Sequence, residues 1–331
     1  MASTGNDRQR REQQLLERIK ELDLAHRNRL DATGAGQAIS LRYLRSALSH
    51  LVSKPRPCSP APVNVSDAAS IVVNPVGHAT VQIVSAKARI LTDPWLTQFL
   101  YGLRRATAPG IHEDDLARVS CILLSHGHHD HLHPPSLRML PKGALVVTPP
   151  GFAKKLARLG FPQVVELAAD ESCQHGDVTI TAVPARHEGG GGHNSSANGY
   201  VIQSPEVAVF FAGDTGYFSG FVDIGHRFRP DLSLLPIGGY APYPLRATHM
   251  SPLDAVYALE DLQSRVLVPI SYGIIPLGYE PMDEPPRWLR AACESRGLLD
   301  RLALMAPGEQ LRVHRSSFAI EPRLYGADTV R

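Results

Sequence analysis

The stretch LLSHGHHDHLH, Leu123 to His133, places five histidines and one aspartate in the eight residues from His126 to His133. The whole chain of 331 residues holds 15 histidines. The stretch continues the apolar run CILLS (121–125), which reads as a buried strand. At a strand end, side chains i and i+2 point the same way, so His126 and His128 can offer two imidazoles to one ion. Asp130 and His131 then fall on the loop that leads into a helix, turned past the first ion, where they could bind a second. Five imidazoles converging without a metal would gain nothing, so the stretch reads as a metal site.

The remaining donors should lie at other strand ends on the same edge. His187 closes VTITAVPARH, Asp214 follows VAVFFA in VAVFFAGDTGY, and His249 stands in ATHMSP just before a helix. The glycines around Asp214 allow its carboxylate a close approach. Asp93, in ARILTDPW, is placed to accept a hydrogen bond from a ligating imidazole and orient it.

Working outward, short apolar runs separated by turns begin near residue 70. Strands are expected at 71–73, 80–84, 88–91, 121–125, 144–148, 178–183, 199–203, 207–212, 232–237 and 266–270, with helices near 135–140, 150–159, 252–263 and 284–296. Two groups of strands, each followed by helices, predict an α/β fold of two sheets face to face with helices outside. Upstream, a helix is expected over 9–30. A second follows, capped by Ser40, with apolar positions Leu41, Leu44, Leu48 and Leu51. KPRPCSPAPV (54–63) reads as a proline-rich linker, which divides the chain into a helical extension (1–64) and a main domain (65–331). The preferred reading of the two helices is an appendage packed on the main domain. The alternative is a peripheral membrane or partner contact.

Composition is that of an ordinary globular protein, with 43% hydrophobic and 20% charged residues. No apolar run is long enough to span a bilayer and the N-terminus lacks a signal-type apolar segment, so a cytoplasmic location is expected. Residues 1–60 carry a net charge of +5 and the rest −3, too weak an asymmetry for a nucleic-acid-binding domain. The four scattered cysteines form no CxxC pair, and Cys121 reads as a small buried hydrophobe. Oligomeric state is not legible.

SHGHHDH, the lone His187, AGDTGY and ILTDPW together resemble the metallo-β-lactamase fold superfamily and its HxHxDH motif. Within it, GHATVQI, ILTDPW, APGI, LLPIGGY, THMSPLDAV and PLGYEPMDEPP resemble N-acylphosphatidylethanolamine phospholipase D and its bacterial relatives, and the L-ascorbate-6-phosphate lactonases are similar. The resemblance covers about residues 70–315. It implies an αββα sandwich with a first metal on His126, His128, His187 and Asp214, and a second on Asp130, His131 and Asp214. It also implies a further histidine ligand where this chain reads VPISYG, so that Ser271 stands in the ligand position.

Serine is a poor zinc ligand. Three outcomes are open: His249 swings in as replacement, water fills the position, or one metal suffices. The favoured one is a populated but weaker second site. Two further departures, His129 for an aromatic residue and His133 for an acidic one, read as solvated surface positions. The glycine run before His193 replaces a bulkier pocket segment, and Tyr240 or Tyr243 could line the pocket or simply pack.

The implied function is a metal-dependent hydrolase that uses a metal-bound hydroxide, oriented by Asp130, with His249 donating to the leaving group or holding a phosphate oxygen. The cofactor would be one or two Zn2+ ions, with Mn2+ or Fe2+ as alternatives. A phosphodiester is the leading substrate class, in a phospholipase D-like reaction on a small molecule or lipid. A lactone or other acyl ester or amide is the alternative. A non-catalytic scaffold with a degenerate second site is the alternative of another kind. A nuclease is not expected, because no large insertion sits between the motifs, and neither is a flavin-linked diiron oxidoreductase, which would need an appended flavodoxin-like domain.

Overall fold

The computed structural model describes residues 35–65, 69–188, 196–314 and 318–319. The apolar runs form strands: β1 (Ser70–Gly77), β2 (Thr80–Val84), β3 (Arg89–Thr92), then a small hairpin of β4 (Phe99–Leu100) and β5 (Leu103–Arg104), and β6 (Cys121–Leu123) and β7 (Leu145–Thr148). Next come β8 (Val164–Glu166), β9 (Ser172–His175), β10 (Val178–Pro184), β11 (Asn198–Gln203), β12 (Ala208–Phe211), β13 (Leu232–Pro236), β14 (Val266–Ile270), β15 (Leu311–His314) and β16 (Phe318–Ala319).

They build two mixed sheets, one in the order β16-β15-β1-β2-β3-β6-β7-β8, the other β14-β13-β12-β11-β10-β9. Alternation along each strand decides which way a residue faces. Ile90, Cys121 and Leu123 meet Ile180, Ile202 and Phe211 of the opposite sheet, while Leu91, Ile122 and Val146 turn outward onto Leu137, Phe152 and Leu156. The second sheet is covered likewise: Val201, Phe210 and Leu235 pack on Phe221, Val256 and Leu289. Burial on both faces is why these strands read as unbroken apolar runs. This is the αββα sandwich.

Strand direction sets up the site. β3, β6 and β7 are parallel, and β1 runs the same way because it and β3 are both antiparallel to β2. In the other sheet β12, β13 and β14 are parallel, and β10 shares their direction through antiparallel β11. The C-terminal ends of all these strands therefore collect at one edge. Tyr200 on β11 donates its hydroxyl to the Leu124 carbonyl and Asn198 N–H donates to the Ser125 carbonyl, tying the histidine-rich loop across from the second sheet.

Some sequence expectations need correction. The helix expected after Ser40 spans Ala35–Val52, so Ser40 lies inside it, because Ala35, Gln37 and Ala38 are good helix formers and extend it backward. Leu44, Leu48 and Leu51 are exposed; the helix instead packs through Tyr43 against Tyr279, Ser46 Oγ against the Met282 N–H, and buried His50. The helix expected over 9–30 lies outside the described residues. Within the proline-rich stretch, Arg56 exchanges backbone hydrogen bonds with Ala106 and Ala108. A helix at Gly220–Phe228 was not expected, since glycines at 220 and 225 obscure it; a Cβ on Gly225 would lie 2.5 Å from the Asp261 carbonyl oxygen. No helix among the described residues is long and apolar enough to cross a membrane.

His133 is also corrected: it is buried, not solvated, and caps the helix Pro134–Met139 through Nδ1, which accepts from the Ser136 N–H and lies 2.8 Å from its hydroxyl. Burial, reinforced by neighbouring His129, pushes its pKa down to about 4. Unfolded, the same side chain titrates at about 6.5. Stability is therefore fully present above pH ~6.5 and is lost as pH falls toward ~4, where only the unfolded chain takes the proton. His133→Ala should cost about 1 kcal/mol at neutral pH. His133→Asn keeps an acceptor at the cap and should flatten the pH dependence in urea unfolding; an unchanged slope would assign that dependence elsewhere.

Candidate metal centre

Asp93 follows β3, fully buried, with a left-handed backbone (φ 33°). Its Oδ1 accepts the Ser125 N–H at 2.7 Å, and its Oδ2 accepts the Ser125 hydroxyl at 2.5 Å and His131 Nδ1–H at 2.6 Å. Because the Ser125 hydroxyl spends its only proton on Asp93, its oxygen accepts from His126 Nδ1 at 2.9 Å. His187 Nδ1 donates to the Thr248 carbonyl at 2.9 Å. Three imidazoles thus have Nδ1–H held from behind, which turns each Nε2 into the site.

Two of them converge on His128. His126 Nε2 and His187 Nε2 lie 2.9 and 3.1 Å from His128 Nδ1. One nitrogen carries at most one proton or one lone pair, so His128 Nδ1 cannot satisfy both neighbours. Ligands bound at 2.0–2.1 Å in a tetrahedron stand about 3.3 Å from one another, close to these separations. A metal ion fits this cluster.

The second cluster surrounds His131. Its Nε2 is buried, 3.0 Å from Asp214 Oδ2 and 3.4 Å from Asp130 Oδ2, yet neither contact is aligned as a hydrogen bond. Burial opposes protonation of His131, but Asp214, Asp130 and Asp93 overcome it and hold its pKa well above the usual range. Burial likewise opposes ionisation of Asp130 and Asp214, and His131 overcomes it in both, keeping them carboxylates. Among the described residues no lysine or arginine pairs with these three aspartates. Two buried carboxylates and a third, Asp130, only partly open to solvent call for a cation, and the unaligned Nε2 contacts suit a metal better than a proton.

Asp214 joins the two clusters. Gly213 before it has φ 60°, and a Cβ there would lie 2.4 Å from the Ser125 Cβ, so only glycine brings this loop against the histidine loop. Ser271, following β14, donates its hydroxyl to Asp214 Oδ1 at 3.4 Å. His249 Nε2 lies 3.7 Å from Asp214 Oδ2, and its ring stands edge-on to His187 at 4.9 Å. That places His249 with His187 and Asp214, away from Asp130 and His131.

The structure therefore brings together His126, His128, Asp130, His131, His187, Asp214 and His249, with Asp93 behind them and Ser271 beside them. His129 is exposed, its ring 5.7 Å from Tyr101. Tyr240 packs on Trp288 and donates to Glu284. His193 lies outside the described residues. Sequence reasoning missed Ser125, which the apolar run in front of it disguised as a strand end. It also missed His78: its Nε2 lies 3.1 Å from Asp130 Oδ2.

A two-sheet α/β sandwich with histidine and aspartate donors gathered from both sheets at one edge defines a class of metal-site proteins, and comparison with known proteins places the chain within it. This chain belongs to the beta-lactamase superfamily: the model of the beta-lactamase superfamily domain matches residues 88–272. It is 33% identical over 281 residues to an uncharacterized protein of Mycobacterium tuberculosis, covering 78% of this chain and 74% of that one. A UPF0173 metal-dependent hydrolase of Caldivirga maquilingensis is 31% identical over 240 residues, 72% of this chain and 96% of the relative. Among solved structures, a metallo hydrolase of Ignicoccus hospitalis (TM-score 0.60, 24% identity, 74% of this chain and 99% of the other) shares the fold. So does an isothiocyanate hydrolase from Delia radicum gut bacteria (TM-score 0.61, 23% identity, 74% and 99%).

Asp93→Ala removes the acceptor behind His131 and, through Ser125, behind His126. Metal affinity should fall 10- to 100-fold in a competitive chelator titration; unchanged affinity would mean that the imidazoles need no such support.

Proposed function

We propose a phosphodiester as the substrate on which this metal-dependent hydrolase of the beta-lactamase superfamily acts. The observation that carries the reading is the pair of donor clusters joined at Asp214, an arrangement suited to holding two oxygens of one phosphoryl group. His126, His128, His187 and Asp214 would hold one ion; Asp130, His131 and Asp214 a second. When bound, the metal supplies Lewis acidity and lowers the pKa of water to about 7.

The chain's own groups do the rest. Asp130, kept ionised and partly open to solvent, accepts a hydrogen bond from the attacking water and aligns it. His249 turns Nδ1 toward the Thr248 hydroxyl and Leu245 carbonyl, so Nε2 faces the site, where it donates to the leaving oxygen or steadies a phosphoryl oxygen. A new O–P bond forms from water and the ester P–O bond breaks; the proton released by the attacking water balances the one that the departing alkoxide takes up, so the products are a monoester and an alcohol.

The exposed row of Leu44, Leu48 and Leu51 supports a lipid rather than a soluble diester, since it offers an apolar contact to a bilayer surface. Leu48→Glu with Leu51→Glu should abolish sedimentation with phospholipid vesicles while hydrolysis of a soluble diester is kept. Retained sedimentation would remove this support.

Protein purified without chelator should carry one to two transition-metal ions and hydrolyse bis(p-nitrophenyl) phosphate; exhaustive chelation should abolish turnover and Zn2+, Mn2+ or Fe2+ restore it. Asp130→Asn should lower kcat about a hundredfold or more. Turnover of a lactone panel but of no phosphodiester would transfer the assignment to acyl hydrolysis. Metal-free protein would remove the catalytic reading altogether.

A further inference from the structure

We propose that His78 is a ligand of the second metal, in the place left by Ser271; the inference rests on the two-cluster reading above. His78 occupies the tight connection between β1 and β2, just after Gly77, and its side chain is 1% exposed. Its Nε2 lies 3.1 Å from Asp130 Oδ2, and one donor atom each from His78, Asp130 and His131 lies within 4.8 Å of the other two. That pair distance matches the spacing of the first cluster and of two ligands on one tetrahedral ion, about 3.3 Å.

Two features show that the imidazole is held there by the fold. First, the backbone of His78 is left-handed (φ 59°), a conformation uncommon for a residue with a side chain, and the two other site residues Asp93 and Ser271 share it. Second, the ring is fixed from behind. Trp95 meets it edge-on at 5.7 Å, and Arg105 lies over the Trp95 ring while donating to the Val76, Trp95 and Thr107 carbonyls. His78 Nδ1 is buried with no hydrogen-bond partner, so without a cation the ring proton sits on Nε2, which donates to the Asp130 carboxylate, and no acceptor on Nδ1 opposes giving the Nε2 lone pair to an ion.

The link with Ser271 is direct. Ser271 N–H donates to the His78 carbonyl at 3.2 Å, so the two residues approach the cluster from adjoining backbone, one from each sheet. An imidazole at either position can complete the set begun by Asp130, His131 and Asp214. His249, grouped with His187, is on the other side of Asp214. This chain has dispensed with a donor on β14 and uses one from the β1–β2 turn.

The test titrates metal-free full-length protein with Co2+ and reads stoichiometry and affinity, with circular dichroism confirming the fold of each variant. His78→Phe keeps a ring against Trp95 and removes both nitrogens. His78→Asn keeps an N–H that can donate to Asp130. The wild type should bind two Co2+ ions, and both variants should keep one while the other weakens about a hundredfold or more, beyond the loss typical of an orienting partner. Ser271→His placed in the His78→Asn background should restore the second ion. If His78→Asn retains second-ion affinity within threefold, His78 only hydrogen-bonds Asp130 and the proposal is overturned. A wild type that binds a single ion overturns it as well, with the first cluster intact; a wild type that binds none removes the metal reading and this inference together.

Discussion

Three carboxylates gathered around one buried imidazole, with no lysine or arginine among the described residues paired to them, form the constraint on which the site depends. Asp93, Asp130 and Asp214 arrive at His131 from three different strand ends. Left uncompensated, such a group would open or take up protons, because charge is costly in a medium of low dielectric. The surrounding fold prevents opening: Asp93 is stapled to Ser125 by two hydrogen bonds, and Gly213 lets the Asp214 loop close on that same serine. What remains is a demand for positive charge at a fixed point.

The same carboxylate also controls protons at a distance. By taking the Ser125 hydroxyl proton, Asp93 turns that oxygen toward His126 Nδ1 and so decides the tautomer of a histidine it does not touch. Both clusters are therefore set by one buried group, although only one lies against it.

Most of the candidate donor set was legible because its members follow strands buried on both faces, and such strands stand out as apolar runs whose ends are plain. His126, His128, Asp130, His131, His187, Asp214 and Asp93 all fall at those ends. His78 does not announce itself. It sits alone in a two-strand connection 48 residues before His126, where no spacing rule points to a ligand; a histidine rather than glycine or asparagine in that turn was the available signal. The cap at His133 was readable too, from the two prolines that follow it, but its place where relatives carry an acidic residue led to its being read as a solvated side chain. The polar edge strands β8 and β9 are short and half-exposed, so they lack the apolar signature that revealed the central strands.

The division of donors between sheets has a thermodynamic side. His126, His128 and His131 belong to one sheet and His187 and Asp214 to the other, whereas the interface between the sheets is otherwise mainly apolar contact with a few bridges such as Tyr200 to Leu124. On the proposed ligand sets, each ion is a cross-link between the two halves of the sandwich. Binding that occurs only when the halves are docked stabilises the docked state by mass action, about 2.7 kcal/mol when free metal exceeds its dissociation constant a hundredfold. The stability of such a protein then follows the metal supply of its surroundings, and loss of the ion would loosen the sandwich at the edge where the donors from the two sheets meet.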